Sequence, residues 1–256
     1  MKLAELPLRL ARRLPPRARR VINLARGIDV PELMQRPPGR RVVVVAPHPD
    51  DELLGCGATM RKHLDAGDDV WVAFVTSGER TAALSLLPLD ARVERREAEA
   101  RAAAAVLGLA GDHLEFLCYA DGGVASRPPA GRSVEDLLRS HQPDLVYVPF
   151  PYEPHTDHEA TARLVAAALP DLPSVKTVAL YEVWTPVSAN CIVDVTEQFE
   201  LKIEALGCYT SALESVDYCH TARGLAAYRS GAGLHGHGYA EAFLLLRPDE
   251  LRSLEL

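Results

Sequence analysis

An α/β fold, with a mostly parallel sheet and helices on both faces, is the architecture this sequence predicts, and three observations predict it. Short runs of β-branched residues alternate with longer helix-forming stretches from Pro37 onward. The runs are strand-length and continuously apolar, as expected of strands buried on both faces. Their spacing leaves room for a helix between successive strands, the pattern of parallel crossover connections. The arrangement is Rossmann-like, and in such sheets ligands bind beyond the carboxyl ends of the strands.

The elements follow in order. Arg41–Ala46 contains four consecutive valines and reads as the first strand. A helix is expected near 57–66, beginning Gly57-Ala58-Thr59-Met60. Asp69–Thr76 reads as the second strand, ending in the turn Ser77-Gly78. The alanine-rich stretch Leu89–Leu107 reads as a helix closed by Gly108, a C-cap residue. His113–Cys118 is the third strand, 133–140 a helix and Asp144–Pro149 the fourth strand. A helix over Glu159–Leu169 and a strand over Val175–Val183 complete the assigned pattern.

Composition sets the broad class. The 256 residues are 48% hydrophobic and 25% charged, suited to one sizeable globular domain. Five scattered cysteines without a CxxC pair argue against a disulfide framework or a thiolate zinc site and favour a reducing, cytoplasmic setting. No apolar run reaches the roughly 20 residues that span a bilayer. Residues 1–41 carry a net charge of +8 and the remainder −15. Residues 1–36 are therefore expected to be a basic appendage to a domain covering 37–256. The appendage suits weak peripheral contact with anionic lipid or docking on the acidic body. The acidic body and the lack of a basic-aromatic groove exclude nucleic acid.

The densest chemistry lies at two strand ends. The first strand runs into Pro47-His48-Pro49-Asp50-Asp51-Glu52, and the fourth runs toward His155-Thr156-Asp157-His158. Both clusters fall on the carboxyl edge of the sheet, where they can meet. His48 and Asp51 are three apart across a proline-framed turn, and His155 and His158 repeat that spacing. Two histidines and one carboxylate, with open positions for water, suit a catalytic zinc site. Fe2+ or Mn2+ accept the same ligand types. Each half has a plainer reading alone: Asp51 and Glu52 as first-turn carboxylates favourable to a helix dipole, and the histidines as loop residues. Gly231–Gly238 reads as a loop able to cover a pocket.

Pro47-His48-Pro49-Asp50-Asp51-Glu52 resembles the A-H-P-D-D-E signature of the PIG-L/LmbE-like zinc-dependent de-N-acetylases. The likeness extends over most of 41–245. It takes in Val75-Thr76-Ser77-Gly78-Glu79, Arg96-Glu97-Ala98-Glu99, Asp121-Gly122, the His155-x-Asp157-His158 element and Tyr239–Phe243. Two positions depart from it: Pro47 replaces the alanine, and Thr156 stands where many members have proline. Neither removes a ligand. The resemblance implies that His48, Asp51 and His158 hold one Zn2+ and that Asp50 is the general base. It also implies that His155 stabilises the oxyanion or protonates the leaving amine, with Asp157 orienting it. Glu52, Ser77, Glu79, Arg96 and Asp121 are expected around the substrate. The implied reaction is removal of an N-acetyl group from an N-acetylglucosaminyl small molecule, glycolipid precursor or natural product. The alternatives are an amidase cleaving a larger acyl group or thiol conjugate from an amino sugar, and a catalytically silent glycan-binding relative. The sequence specifies no oligomeric state.

Overall fold

Val42–Val45 are each 1% exposed or less, and this explains why the run is continuous rather than alternating. They lie in β2 (Arg41–Ala46), an interior strand hydrogen-bonded on one side to β3 (Asp69–Thr76) and on the other to β5 (Leu145–Pro149). Successive side chains point to opposite faces. Val42 and Val44 enter one core with Phe74, Tyr147 and Phe243, while Val43 and Val45 enter the other with Val146, Val148 and Leu180.

The protein is described from a computed structural model, over residues 30–126 and 132–254. The peripheral-contact expectation for the basic terminus lies largely outside those residues. The remaining strands are β1 (Glu32–Met34), β4 (Leu114–Tyr119), β6 (Thr177–Tyr181), β7 (Cys191–Asp194) and β8 (Ala240–Leu246). The sheet order is β1-β7-β8-β6-β5-β2-β3-β4, and every pairing is parallel except those of β8 with β6 and β7. The helices are α1 (Asp51–Asp65), α2 (Leu89–Leu107), α3 (Val134–His141), α4 (Thr156–Ala168), α5 (Phe199–Leu206), α6 (Thr210–Leu213), α7 (Tyr218–Ser230) and α8 (Pro248–Ser253).

Three differences from the sequence reading have local causes. Glu32–Met34, on the appendage side of residue 37, pair in parallel with Cys191–Val193 and form an outer strand of the sheet. Helix α1 begins six residues earlier than expected because the Gly55–Gly57 segment kinks the helix without ending it. The backbone leaves helical geometry at Cys56 (φ −146°), and Glu241 accepts the N–H groups of Ala58 and Thr59 at 3.1 and 2.7 Å. Lys202 neutralises that buried carboxylate at 2.7 Å. Gly55 is required at the kink, since a Cβ there would lie 2.1 Å from the ring of Tyr181. Helix α4 starts at Thr156 rather than Glu159, with His155 as its N-cap. The five cysteines are unpaired, and no helix among the described residues is long and apolar enough to cross a membrane.

Candidate metal centre and catalytic cavity

The carboxyl ends of β4, β3, β2 and β5 lie side by side, and the segments leaving them build one cavity of about 570 Å3. The end of β2 is tied to β3 by Thr76, whose N–H and Oγ1 both donate to the Pro47 carbonyl at 2.9 Å. This anchors the turn that carries His48, Asp50 and Asp51. Asp50 itself has φ +116°, a conformation rarely adopted outside glycine, which costs about 1–3 kcal/mol and is characteristic of functional sites. The Asp50 N–H donates to Glu52 Oε2 at 3.0 Å, and its carboxylate Oδ2 accepts from Arg96 at 3.0 Å.

The two clusters meet. Asp51 Oδ2 lies 3.1 Å from His48 Nδ1 and 3.3 Å from His158 Nε2. Zinc bonds of about 2.0–2.2 Å in a tetrahedron put neighbouring donors roughly 3.3–3.5 Å apart, so each of these two contacts of Asp51 has the spacing of neighbouring ligands. One ring nitrogen from each of His48, His155 and His158 lies within 4.8 Å of the others, as does one donor atom from each of His48, Asp121 and Asp157. The second nitrogen of His48, Nε2, faces Asp157 Oδ2 at 3.3 Å and Asp121 Oδ1 at 3.5 Å. Such a carboxylate partner fixes a ligand histidine's tautomer and ring orientation.

Charge is concentrated here. Burial opposes a charge on His48, but bonds to Asp121, Asp157 and Asp51 hold its pKa well above the usual value. Burial also opposes a charge on Asp51, yet His158 and His48 outweigh it and hold that carboxyl well below the carboxylate range. For Asp50, burial dominates and pushes the carboxyl up to about 6, with Arg96 pulling back and Asp51 adding to the rise. Burial lowers the pKa of His155, helped by repulsion from His48 and His158. His155 Nδ1 accepts the N–H of Asp157 at 3.3 Å, which places the proton of the neutral ring on Nε2.

Each expected site residue has a definite place. His48, Asp50, Asp51, Arg96, Asp121, His155 and His158 line the cavity. Asp157 does not, and its expected partner is different. Its carboxylate accepts from Gly122 N at 2.7 Å and Val124 N at 3.3 Å and faces His48. The carboxylate faces His48 rather than His155, because the first turn of α4 directs its side chain toward the loop after β4. Glu52 is buried behind the cavity, bonded to Asp50 N and to the Tyr209 hydroxyl, and burial pushes its carboxyl up to about 8. Ser77 and Glu79 also stand back from the cavity, and of that turn Gly78 is the lining residue. Glu79 Oε1 accepts from Asp121 N at 2.8 Å. Arg96, 1% exposed, bonds Asp50, the Pro49 carbonyl, Glu99 and Ser211, and so holds the turn more than it faces solvent. The Gly231–Gly238 segment lines a different cavity, with Gln35, Lys62, Asp194 and Glu197.

Glu153 is the residue that sequence reasoning missed. Its Oε1 accepts the N–H groups of Val183, Trp184 and Thr185 at 2.8, 3.0 and 3.2 Å. Its Oε2 accepts Trp184 N at 2.8 Å and lies 3.7 Å from His158 Nδ1, a buried nitrogen with no hydrogen bond. The only signal was an acidic residue two before His155. Trp184, Tyr218 and Arg80, also absent from the sequence reading, line the cavity mouth.

Known proteins share this construction. Residues 43–169 match the family described as PIG-L, GlcNAc-PI de-N-acetylase, a span that holds both strand-end clusters. A diacetylchitobiose deacetylase of Thermococcus kodakarensis is 26% identical over 191 residues, covering 67% of this chain and 70% of the relative. A probable N-acetyl-α-D-glucosaminyl L-malate deacetylase of Bacillus anthracis is 29% identical over 188 residues, covering 67% and 81%. The crystal structure of the N,N'-diacetylchitobiose deacetylase from Pyrococcus horikoshii superposes with a TM-score of 0.69 at 27% identity, covering 82% of this chain and 85% of that one. With the fold in common and both strand-end clusters inside the matched span, residues 43–169 of this chain are a domain of the PIG-L de-N-acetylase family.

Proposed function

We propose that the protein is a metal-dependent hydrolase that removes the N-acetyl group from an N-acetylglucosaminyl compound. The observation that carries this reading is the convergence of His48 Nδ1 and His158 Nε2 on Asp51 Oδ2, with Asp50 on the same cavity. His48, Asp51 and His158 would hold the ion, and zinc suits two imidazoles and one carboxylate, with Fe2+ and Mn2+ accepting the same donors. The bound metal supplies an acidified water and polarises the acetyl carbonyl.

The chain's own residues supply the rest. Asp50 takes a proton from the attacking water, and a carboxyl near 6 is matched to that task at neutral pH. Arg96 holds one of its oxygens and keeps the base aimed. As the tetrahedral intermediate forms, the Nε2–H of His155 donates to the developing oxyanion. Burial and two neighbouring histidines favour the neutral ring for this donation. Loss of such a donor typically costs on the order of 10²–10³ in rate. The protonated Asp50 then returns its proton to the leaving amine. Asp121, Arg80 and Trp184 border the space left for the sugar. The unpaired cysteines support a cytoplasmic location.

The test measures acetate and free amine together, using N-acetylglucosamine glycosides and metal-loaded protein. Equimolar acetate and amine from the wild type, with a loss of at least about 10²-fold in Asp50→Asn, is expected from general acid–base catalysis. Equal turnover by the wild type and Asp50→Asn would sink the proposal.

A further inference from the structure

Beside the catalytic cavity runs a second groove of about 250 Å3 whose character is the opposite of the first. Leu54 of α1, Val183 after β6, Val216 before α7 and Leu225 on α7 form its walls. Trp184 and Tyr218 line both spaces, so the groove adjoins the catalytic cavity across this aromatic pair. Their rings meet edge to face, 6.0 Å between centroids, at the junction. Trp184 is 53% exposed, a large aromatic surface left uncovered in the protein alone.

The junction is also rigidly placed relative to the metal ligands. Glu153 holds the backbone of Trp184 through both its oxygens, and the same carboxylate faces His158 Nδ1. An object lying against Trp184 is therefore held at a fixed distance from the reacting centre. Leu54 adds a second tie, since it follows Asp50 and Asp51 by one turn of α1.

We propose that this groove is the subsite for an apolar aglycone, an alkyl or aryl group joined to the N-acetylglucosaminyl unit. The inference rests on the deacetylase reading for the identity of the sugar and of the acyl group. An acetyl group ends in one methyl and needs no groove of this size. The sugar presents hydroxyls, which apolar walls cannot satisfy. What remains is the other end of the substrate, and the walls select for apolar surface. An engineered cavity of about 150 Å3 accommodates a benzene ring, so this groove has room for one aryl ring or several methylenes.

The experiment compares octyl and methyl glycosides of N-acetylglucosamine, in both anomers, by kcat/KM with metal-loaded enzyme. Each buried methylene is worth roughly fourfold in affinity, so two already give an octyl-to-methyl ratio on the order of tenfold. Leu225→Asp places a charge in the groove wall and should bring that ratio toward one. Val216→Asp gives the same reading if Leu225→Asp does not fold. Calorimetric binding of the octyl and methyl glucosaminides, the deacetylated products, supplies a readout independent of turnover. A wild-type ratio near one in both hydrolysis and binding overturns the proposal, as does a ratio that survives both groove variants. A preference for N-octanoyl over N-acetyl methyl glycoside that Leu225→Asp abolishes also overturns it, because the groove would then hold the acyl group. Absence of acetate release with a Leu225-dependent preference in glucosaminide binding supports the groove and removes the deacetylase reading.

Discussion

Glu153→Gln changes one atom of a buried carboxylate and separates two functions of that side chain. Oε1 accepts three backbone N–H groups, so the substituted amide keeps its carbonyl oxygen there and places its nitrogen at the Oε2 position. That nitrogen then meets Trp184 N, previously 2.8 Å from Oε2, donor against donor. Leaving buried donors unpaired costs about 1–3 kcal/mol, which at about 2–4 °C per kcal/mol for a chain of this size is a fall of several degrees in Tm. The second effect is on the metal ligand. A carboxylate 3.7 Å from His158 Nδ1 favours the tautomer with its proton on Nδ1, which leaves the Nε2 lone pair facing Asp51. An amide NH2 in the same place favours the other tautomer, with Nε2 protonated and unable to ligate. Loss of such an orienting partner typically weakens metal binding 10–100-fold, and about that loss is expected here. The assay is competitive Co2+ or Zn2+ titration, with cobalt absorption reporting the ligand set, beside thermal unfolding of the metal-free protein. Glu182→Gln is the control: Glu182 accepts Val187 N at 2.9 Å and pairs with Arg229, but faces no histidine. It should lose stability and keep metal affinity. Wild-type metal affinity in Glu153→Gln, with stability lost as in the control, refutes the reasoning.

Other outcomes follow from the same contacts. Removing the guanidinium in Arg96→Gln takes away the charge that pulls the Asp50 pKa down, so the acid limb of kcat/KM against pH should move to higher pH with a loss of about 10²-fold. An unmoved limb would show that Arg96 does not act through Asp50. Gly55→Ala drives a Cβ into the Tyr181 ring, and overpacking of this kind costs about 1–3 kcal/mol, measurable by denaturant unfolding. Burial lowers the pKa of His63 against the opposing pull of Asp68. The unfolded chain binds a proton there that the folded protein resists, so stability falls as pH drops from about 6.5 toward the depressed value. The decline in Tm between pH 7.5 and 5.5 should be shallower in His63→Gln, and an unchanged slope would contradict the assignment.

The fold was legible where local chemistry and burial agree. The valines of β2 and, in β3, Val70 and the run Val72–Thr76 are buried in the sheet interior, so their apolar runs mark the strands without ambiguity. Gly108, with φ +83°, closes α2 where a left-handed residue is needed. The meeting of the two strand-end clusters was legible because turns off neighbouring strands concentrate rare residue types. Glu153 was not, because its meaning lies in N–H groups of residues 183–185, thirty positions away. The contact of Asp157 with His48 was not legible, because spacing along a helix start does not reveal which loop the side chain meets. The outer strand Glu32–Met34 was hidden in a basic segment, since three residues carry too little periodicity to be read.

The central claim is that the two strand-end clusters form one metal centre that hydrolyses an acetamide. Acetate release from N-acetylglucosamine glycosides, followed as metal is titrated into chelator-stripped protein, tests it most directly. The account predicts no release from stripped protein, a linear recovery that breaks at one metal per chain, and no recovery in Asp51→Asn or His158→Ala. Full release without metal, or recovery undiminished in those two variants, would contradict it.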